Sequence, residues 1–169
     1  ALAMLWARKN KIIMHYRGLE PYPLPKSFWN DFPWKDLPDD IAAVMRHIHL
    51  KRENSKIVTF ERSTIQLDDR HVEDFKTSDV PFDVVFYDAF APTHQPELWT
   101  KGLFKQLLQL VRPEGSLVTY CSKGSVRRNL MAAGWQVEPL PGPAGKKEML
   151  RAIHHPVLRF NVRVYGLSL

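Results

Sequence analysis

The stretch Phe82-Asp83-Val84-Val85-Phe86-Tyr87-Asp88-Ala89-Phe90-Ala91-Pro92 decides the fold. Val84 to Tyr87 is an apolar run rich in β-branched and aromatic residues, and it predicts a strand buried on both faces. The run ends at Asp88, and Pro92, which has no N–H to donate, prevents the ladder from continuing. A carboxylate at the carboxyl end of a buried parallel strand stands where open α/β sheets hold their ligands. The same position also suits a plain helix cap, and the residues alone leave both readings of Asp88 open.

Downstream, Lys101 to Val111 carries Leu103, Leu107 and Leu110 on one side and predicts an amphipathic helix, with Arg112-Pro113-Glu114-Gly115 as its stop and turn. Ser116 to Cys121 predicts a second buried strand and Val126 to Ala133 a short helix stopped by Gly134. Trp135 to Leu140 and Glu148 to Ile153 form a predicted antiparallel hairpin around Pro141 to Gly145. Upstream, Ala1 to Lys9 is apolar all round and predicts a buried helix, followed by a strand from Ile12 to Leu19 that ends in Glu20. Short strands at Ile57 to Phe60 and Thr64 to Leu67 lead into Asp68-Asp69 and a helical turn at His71 to Phe75. Residues 21–55 are an irregular insert with prolines at 21, 23, 25, 33 and 38 and a helix from Ile41 to Leu50. Its Trp29 and Trp34 are expected to pack it onto the domain. Strand–helix–strand order closed by a hairpin predicts one α/β domain over residues 1–169, Rossmann-like, with a mostly parallel sheet and an antiparallel C-terminal hairpin.

No apolar run approaches the roughly 20 residues that span a bilayer, the composition is ordinary for a soluble globular protein, and the lone cysteine fits a reducing compartment, so the cytoplasm is the expected address. The single cysteine, Cys121, excludes an internal disulfide and reads as a core thiol. His47 and His49 are two apart and share no helical face, so no metal site follows from them. The charge is unevenly placed. Residues 123–169 hold Lys123, Arg127, Arg128, Lys146, Lys147, Arg151, Arg159 and Arg163 against only Glu138 and Glu148, so the whole net charge of +6 lies in the last third. Such a basic, acid-poor segment suits a polyanionic partner such as nucleic acid, or is simply a solvated face. Glu20 stands at a strand end, where a carboxylate can accept hydrogen bonds from ribose hydroxyls or serve as a solvated turn residue, and Asp69 is a second carboxylate at a strand end.

Several motifs together resemble the methyltransferase domain of MnmC-type enzymes, which methylate 5-aminomethyl-2-thiouridine at the tRNA wobble base. They are Asp88-Ala89-Phe90-Ala91-Pro92 with Pro96-Glu97-Leu98-Trp99-Thr100, Arg112 to Gly115, Ser122 to Arg128, Gly145 to Met149, and Gly18 to Leu24. The resemblance implies a class I fold, S-adenosylmethionine as cofactor and the anticodon arm of tRNA as partner. A separate flavin-dependent oxidoreductase would supply the amine. It further implies Asp88, Phe90 and Pro92 as catalytic residues, with Glu20, Asp69 and Asp88 binding cofactor. Lys123, Arg127, Arg128, Lys146 and Lys147 would meet RNA phosphates. Such domains open with a strand and a glycine-rich loop, whereas the first glycine here is Gly18. The expectation is therefore an incomplete N-terminus, the strands at Ile12–Leu19 and Val84–Tyr87 being those that would flank the absent one. Two other functions stay open: a same-fold methyltransferase for another amine, and a cofactor-free RNA-binding remnant.

Overall fold

The computed structural model describes residues 1–50, 57–76, 80–143 and 145–155. The chain forms two compact units, Ala1–Phe75 and Lys76–Leu169. The weakly alternating stretch from Val157 onward, with Arg159 and Arg163, lies outside the described residues.

The first unit contains helices α1 (Leu2–Lys9), α2 (Lys26–Asn30) and α3 (Asp39–Leu50) and strands β1 (His15–Leu19), β2 (Ile57–Phe60) and β3 (Ser63–Asp68). Its sheet has the order β1-β3-β2, with β1 parallel and β2 antiparallel to β3. Met4, Ile41, Ile48 and Ile65 form its buried core. Contrary to the all-round burial expected of α1, only Met4 and Ala7 are buried, and Leu2 and Trp6 are 81% and 59% exposed. A helix packed along one stripe covers that stripe alone. In the insert, Trp34 is buried and its indole N–H donates to the Trp29 carbonyl at 2.9 Å, while Trp29 stacks on His49 at 3.7 Å.

Asp68 closes β3 with a carboxylate that is wholly buried. It accepts from the guanidinium of Arg70 at 2.6 Å, from Arg17 at 3.0 Å and from the Arg70 backbone N–H at 3.1 Å. Both guanidinium groups lie over the buried Phe75 ring, at 4.7 Å for Arg17 and 5.1 Å for Arg70. The Arg70 guanidinium foremost, opposed by burial, holds the Asp68 carboxyl well below the usual carboxylate range.

The second unit contains β4 (Phe82–Phe86), α4 (Lys101–Leu110), β5 (Val111–Thr119), α5 (Gly124–Ala132), β6 (Gln136–Pro141) and β7 (Glu148–Ile153). Its sheet has the order β4-β5-β7-β6, with β4 and β5 parallel and the other pairs antiparallel. The C-terminal hairpin is therefore present. The mostly parallel sheet is met only in part, because among the described residues β1–β3 and β4–β5 are the parallel pairs and the other three pairs are antiparallel. Phe104, Leu117, Leu130 and Leu150 are fully buried.

Three expectations about this unit need correction. β4 is not buried on both faces: Val84 and Phe86 are 44% and 70% exposed, since β4 is the edge strand of its sheet. β1 is likewise an edge strand of its own sheet. Arg112-Pro113-Glu114-Gly115 does follow the end of α4, but it lies within β5 as a bulge and not in a free turn. Phe82 pairs with Val111 and Val84 with Ser116, so the intervening residues bow outward, with Glu114 at φ 66°. The bulge is tied down by Glu114 N–H to His154 O at 2.8 Å and His154 N–H to Gly115 O at 2.9 Å. A Cβ on Gly115 would stand 2.9 Å from the Asp83 carbonyl oxygen and 3.0 Å from that of Arg112, so backbone alone fits there. Gly134, at φ 105°, ends the helical stretch of α5. Cys121 is half-buried and not a core thiol. Among the described residues no helix is long and apolar enough to cross a membrane, and no three side chains are grouped to hold a metal ion.

Because the Asp68 carboxyl is lowered on folding, its contribution is fully present above the unfolded value near 4 and is lost as pH falls through the folded one. Asp68→Asn should cost about 2 kcal/mol at pH 7, and the difference from wild type should shrink as pH drops below about 4. Urea denaturation across pH 2–7 measures both.

Candidate active site

The site in the second unit begins where β4 leaves its partner. The Tyr87 N–H donates to the Val118 carbonyl at 2.8 Å, and the chain then departs from the sheet at Asp88. Asp88 is exposed, and among the described residues its carboxylate has no hydrogen bond or ion pair. It caps no helix: the next helical residues are Pro96–Trp99, a 3-10 turn preceded by Gln95. That removes the capping reading.

The loop after Asp88 is anchored from below. The buried Trp99 donates its indole N–H to the Phe90 carbonyl at 2.8 Å, and the Tyr87 hydroxyl donates to the Leu98 carbonyl at 2.5 Å. Asn129, on α5, donates its amide N–H to the Trp99 carbonyl at 2.8 Å. Beneath them Tyr87 meets Trp99 edge-on at 5.3 Å and Phe104 at 5.8 Å. A tight turn at Ala91 follows, its carbonyl accepting from His94 and Gln95. The outcome is a short loop whose Phe90 ring is 72% exposed although its carbonyl is held, with Pro92 half-buried beside it. Of the three carbonyls in the Ala89–Ala91 turn, those of Phe90 and Ala91 already accept hydrogen bonds.

The topology gathers further residues at the same edge. β4 and β5 run parallel, so Asp88 and Phe90 leave at the end where β5 passes into Tyr120, Cys121, Ser122 and Lys123. β7 runs antiparallel to β5 with Leu150 opposite Thr119, which brings the turn holding Lys146 and Lys147 to that edge as well. Lys123 is the N-cap of α5, and Arg127 and Arg128 lie in its first half. These five cations are exposed, and among the described residues none has an ion-pair partner. Arg112 and Arg151, by contrast, pair with Asp83 and Glu138.

In the first unit, Leu19 of β1 lies opposite Asp68 of β3, and the Glu20 N–H donates to the Asp68 carbonyl at 2.8 Å. Glu20 and Asp69 therefore emerge side by side from the carboxyl ends of a parallel pair, both exposed. Two adjacent carboxylates present only acceptors, which fits the donor groups of a nucleoside: ribose hydroxyls and an adenine amino group. The cofactor residues named from the sequence thus fall in both units, Glu20 and Asp69 in the first and Asp88 in the second.

Sequence reasoning did not single out Asp68, Arg17 and Arg70 under the carboxylate pair, nor Tyr87, Asn129 and Tyr120 around the loop. Trp99 lies within one of the motifs, but the motif by itself gives it no task. Apart from the local Arg70–Asp68 contact, their parts rest on contacts between residues well apart in sequence, such as Asn129 to Trp99 across 30 residues, that leave no local pattern.

Residues 37–155 match the family model described as S-adenosyl-L-methionine-dependent methyltransferase. The chain belongs to this family, whose cofactor is S-adenosylmethionine. It is 33% identical, over 81% of its length, to the tRNA 5-methylaminomethyl-2-thiouridine biosynthesis bifunctional protein MnmC of Ectopseudomonas mendocina. It is 31% identical, over 82%, to the protein of the same name from Pseudomonas fluorescens. In each case it spans 22% of the relative's length, about a fifth. Among solved structures it resembles MnmC2 from Aquifex aeolicus with a TM-score of 0.66 and 25% identity, covering 93% of this chain and 49% of that one. A methyltransferase from Pyrococcus furiosus, at 12% identity and a TM-score of 0.56 over 92% of this chain and 69% of that one, shares the fold.

Trp99→Phe keeps a buried ring but removes the N–H that holds Phe90. It should lower stability by about 1 kcal/mol and reduce kcat for methyl transfer more than it changes cofactor affinity. Thermal melting, turnover and cofactor titration on the same preparations check this.

Proposed function

We propose that the chain methylates the aminomethyl nitrogen of 5-aminomethyl-2-thiouridine at the tRNA wobble position. The observation that carries this reading is Asp88. It is an exposed carboxylate at the end of β4, beside a held-out Phe90 and on an edge supplied with unpaired cations. The names of the two relatives that are at least 30% identical point the same way.

S-adenosylmethionine, when bound, supplies a methyl group on a sulfonium, whose carbon–sulfur bond breaks as the nitrogen–carbon bond forms. Glu20 accepts hydrogen bonds from the ribose hydroxyls and Asp69 from the adenine amino group. A primary amine of this kind has a pKa of roughly 10, so near neutral pH its lone pair is blocked by a proton. Asp88 accepts a hydrogen bond from the ammonium and takes the proton, directly or through water, freeing the nitrogen to attack. Phe90 stacks on the uracil ring and Pro92 shapes the turn that aims it. The Ala89 carbonyl is the one left in the turn to orient the amine. Lys123, Arg127, Arg128, Lys146 and Lys147 contact phosphates of the anticodon arm. A wobble base lies in a single-stranded loop, so it reaches Asp88 and Phe90 without breaking a base pair. The amine itself comes from a flavin-dependent oxidoreductase activity, and the compartment is the cytoplasm.

Asp88→Asn should abolish methyl transfer to tRNA bearing the free aminomethyl group while S-adenosylmethionine still binds by calorimetry. Transfer at the wild-type rate would sink the assignment. Replacing Arg127 and Arg128 together by Ala should weaken tRNA binding most at low salt, and the slope of log K against log salt should flatten by about 1 to 2. Filter binding between 50 and 300 mM salt measures it.

A further inference from the structure

Tyr120 is the first residue beyond β5, and no role in the reaction outlined above falls to it. Its ring is 49% exposed, with the Lys146 ammonium 5.6 Å from the centroid. A half-exposed tyrosine is ordinary by itself, but a cation over one face of the ring leaves the other face as an attractive surface for a second planar group. Its position is specific. Val118 pairs with Phe86 and Thr119 with Leu150, so Tyr120 leaves the sheet next to the strand that carries Asp88 and next to the turn that carries Lys146 and Lys147. Phe90 and Tyr120 are then two exposed rings projecting from the ends of neighbouring parallel strands, with unpaired cations around them. Aromatic platforms interleaved with cations are how proteins hold single-stranded nucleic acid, the cations following the backbone and the rings taking the bases.

We propose that Tyr120 is an RNA-binding residue that stacks on an unpaired base adjoining the one modified, with Lys146 bridging from the ring to the phosphate of that nucleotide. The proposal rests on the tRNA reading above and extends it to a second base. Stacking is tolerant of base identity, so this contact adds affinity and registers the loop without reading sequence.

The test compares wild type with Tyr120→Phe, Tyr120→Leu and Tyr120→Ala, using tRNA and an anticodon-loop oligonucleotide carrying 2-aminopurine beside the wobble position. Tyr120→Phe keeps the ring and should leave the dissociation constant within about twofold. Tyr120→Leu and Tyr120→Ala should raise it about tenfold and abolish the quenching of 2-aminopurine on binding. S-adenosylmethionine affinity should be unchanged in all three. Tyr120→Leu retains bulk, so it decides the matter should Tyr120→Ala fail to fold. Equal binding by Tyr120→Leu and wild type, or equal losses in Tyr120→Phe and Tyr120→Leu, would overturn the stacking role while leaving the tRNA assignment standing. Absence of RNA binding by wild type at any salt would bring down the tRNA assignment and this inference with it.

Discussion

The indole N–H of Trp99, bonded to the Phe90 carbonyl, is the contact on which the loop that bears Asp88 and Phe90 depends. An exposed phenylalanine gains nothing from its own position, and in an untethered loop the ring would fold back onto the nearest apolar surface. Here the backbone is held instead. Trp99 is buried between Tyr87 and Phe104, so its N–H has one direction in which to point, and the Phe90 carbonyl occupies it. Asn129 extends the tether to α5, the helix that also carries Arg127 and Arg128. The loop that bears Asp88 and Phe90 and the helix that bears Arg127 and Arg128 are thus joined by one connected set of hydrogen bonds.

The first unit meets a comparable need with charge. Two carboxylates at the ends of neighbouring strands repel each other, and Glu20 and Asp69 stand in that position. Beneath them the fully buried Asp68 is matched by Arg17 and Arg70, and the same two guanidinium groups cover Phe75. The pair of cations neutralises the buried anion and places positive charge under the acceptors, while the Glu20 N–H to Asp68 carbonyl bond continues the β1–β3 register by one residue. Satisfying a buried carboxylate with several donors also fixes the backbone that bears it, which is what the nucleoside binding proposed for Glu20 and Asp69 would require.

The distribution of cations separates structural from available charge. Arg8, Arg17, Arg70, Arg112 and Arg151 are each spent on a carboxylate of the fold. Lys123, Arg127, Arg128, Lys146 and Lys147 are not, and they cluster in the acid-poor last third of the chain. Unpaired surface cations close together are electrostatically unfavourable in isolation, and a polyanion that bridges them relieves the repulsion.

Much of this was legible from residues alone. The bounds of β7 agree with the reading of Glu148 to Ile153, α4 follows its leucine spacing, and Gly134 stops α5. These are local matters of periodicity, propensity and positive φ, and neighbouring residues carry them. Apolar composition misled at Val84 to Phe86, because hydrophobicity expresses a preference for burial and only the position of β4 at the sheet edge decides whether it is met. The bulge at Arg112 to Gly115 reads as a turn in the sequence because its partners, Asp83 and His154, are remote from it along the chain. The amino-acid order by itself determined the kinds of element, the uneven charge and the motif bearing Asp88. Tertiary structure alone decided that Asp88, Phe90, Tyr120 and Lys146 share one edge, and that Glu20 and Asp69 share another, since strand partners and register are set by hydrogen bonds between residues far apart along the chain.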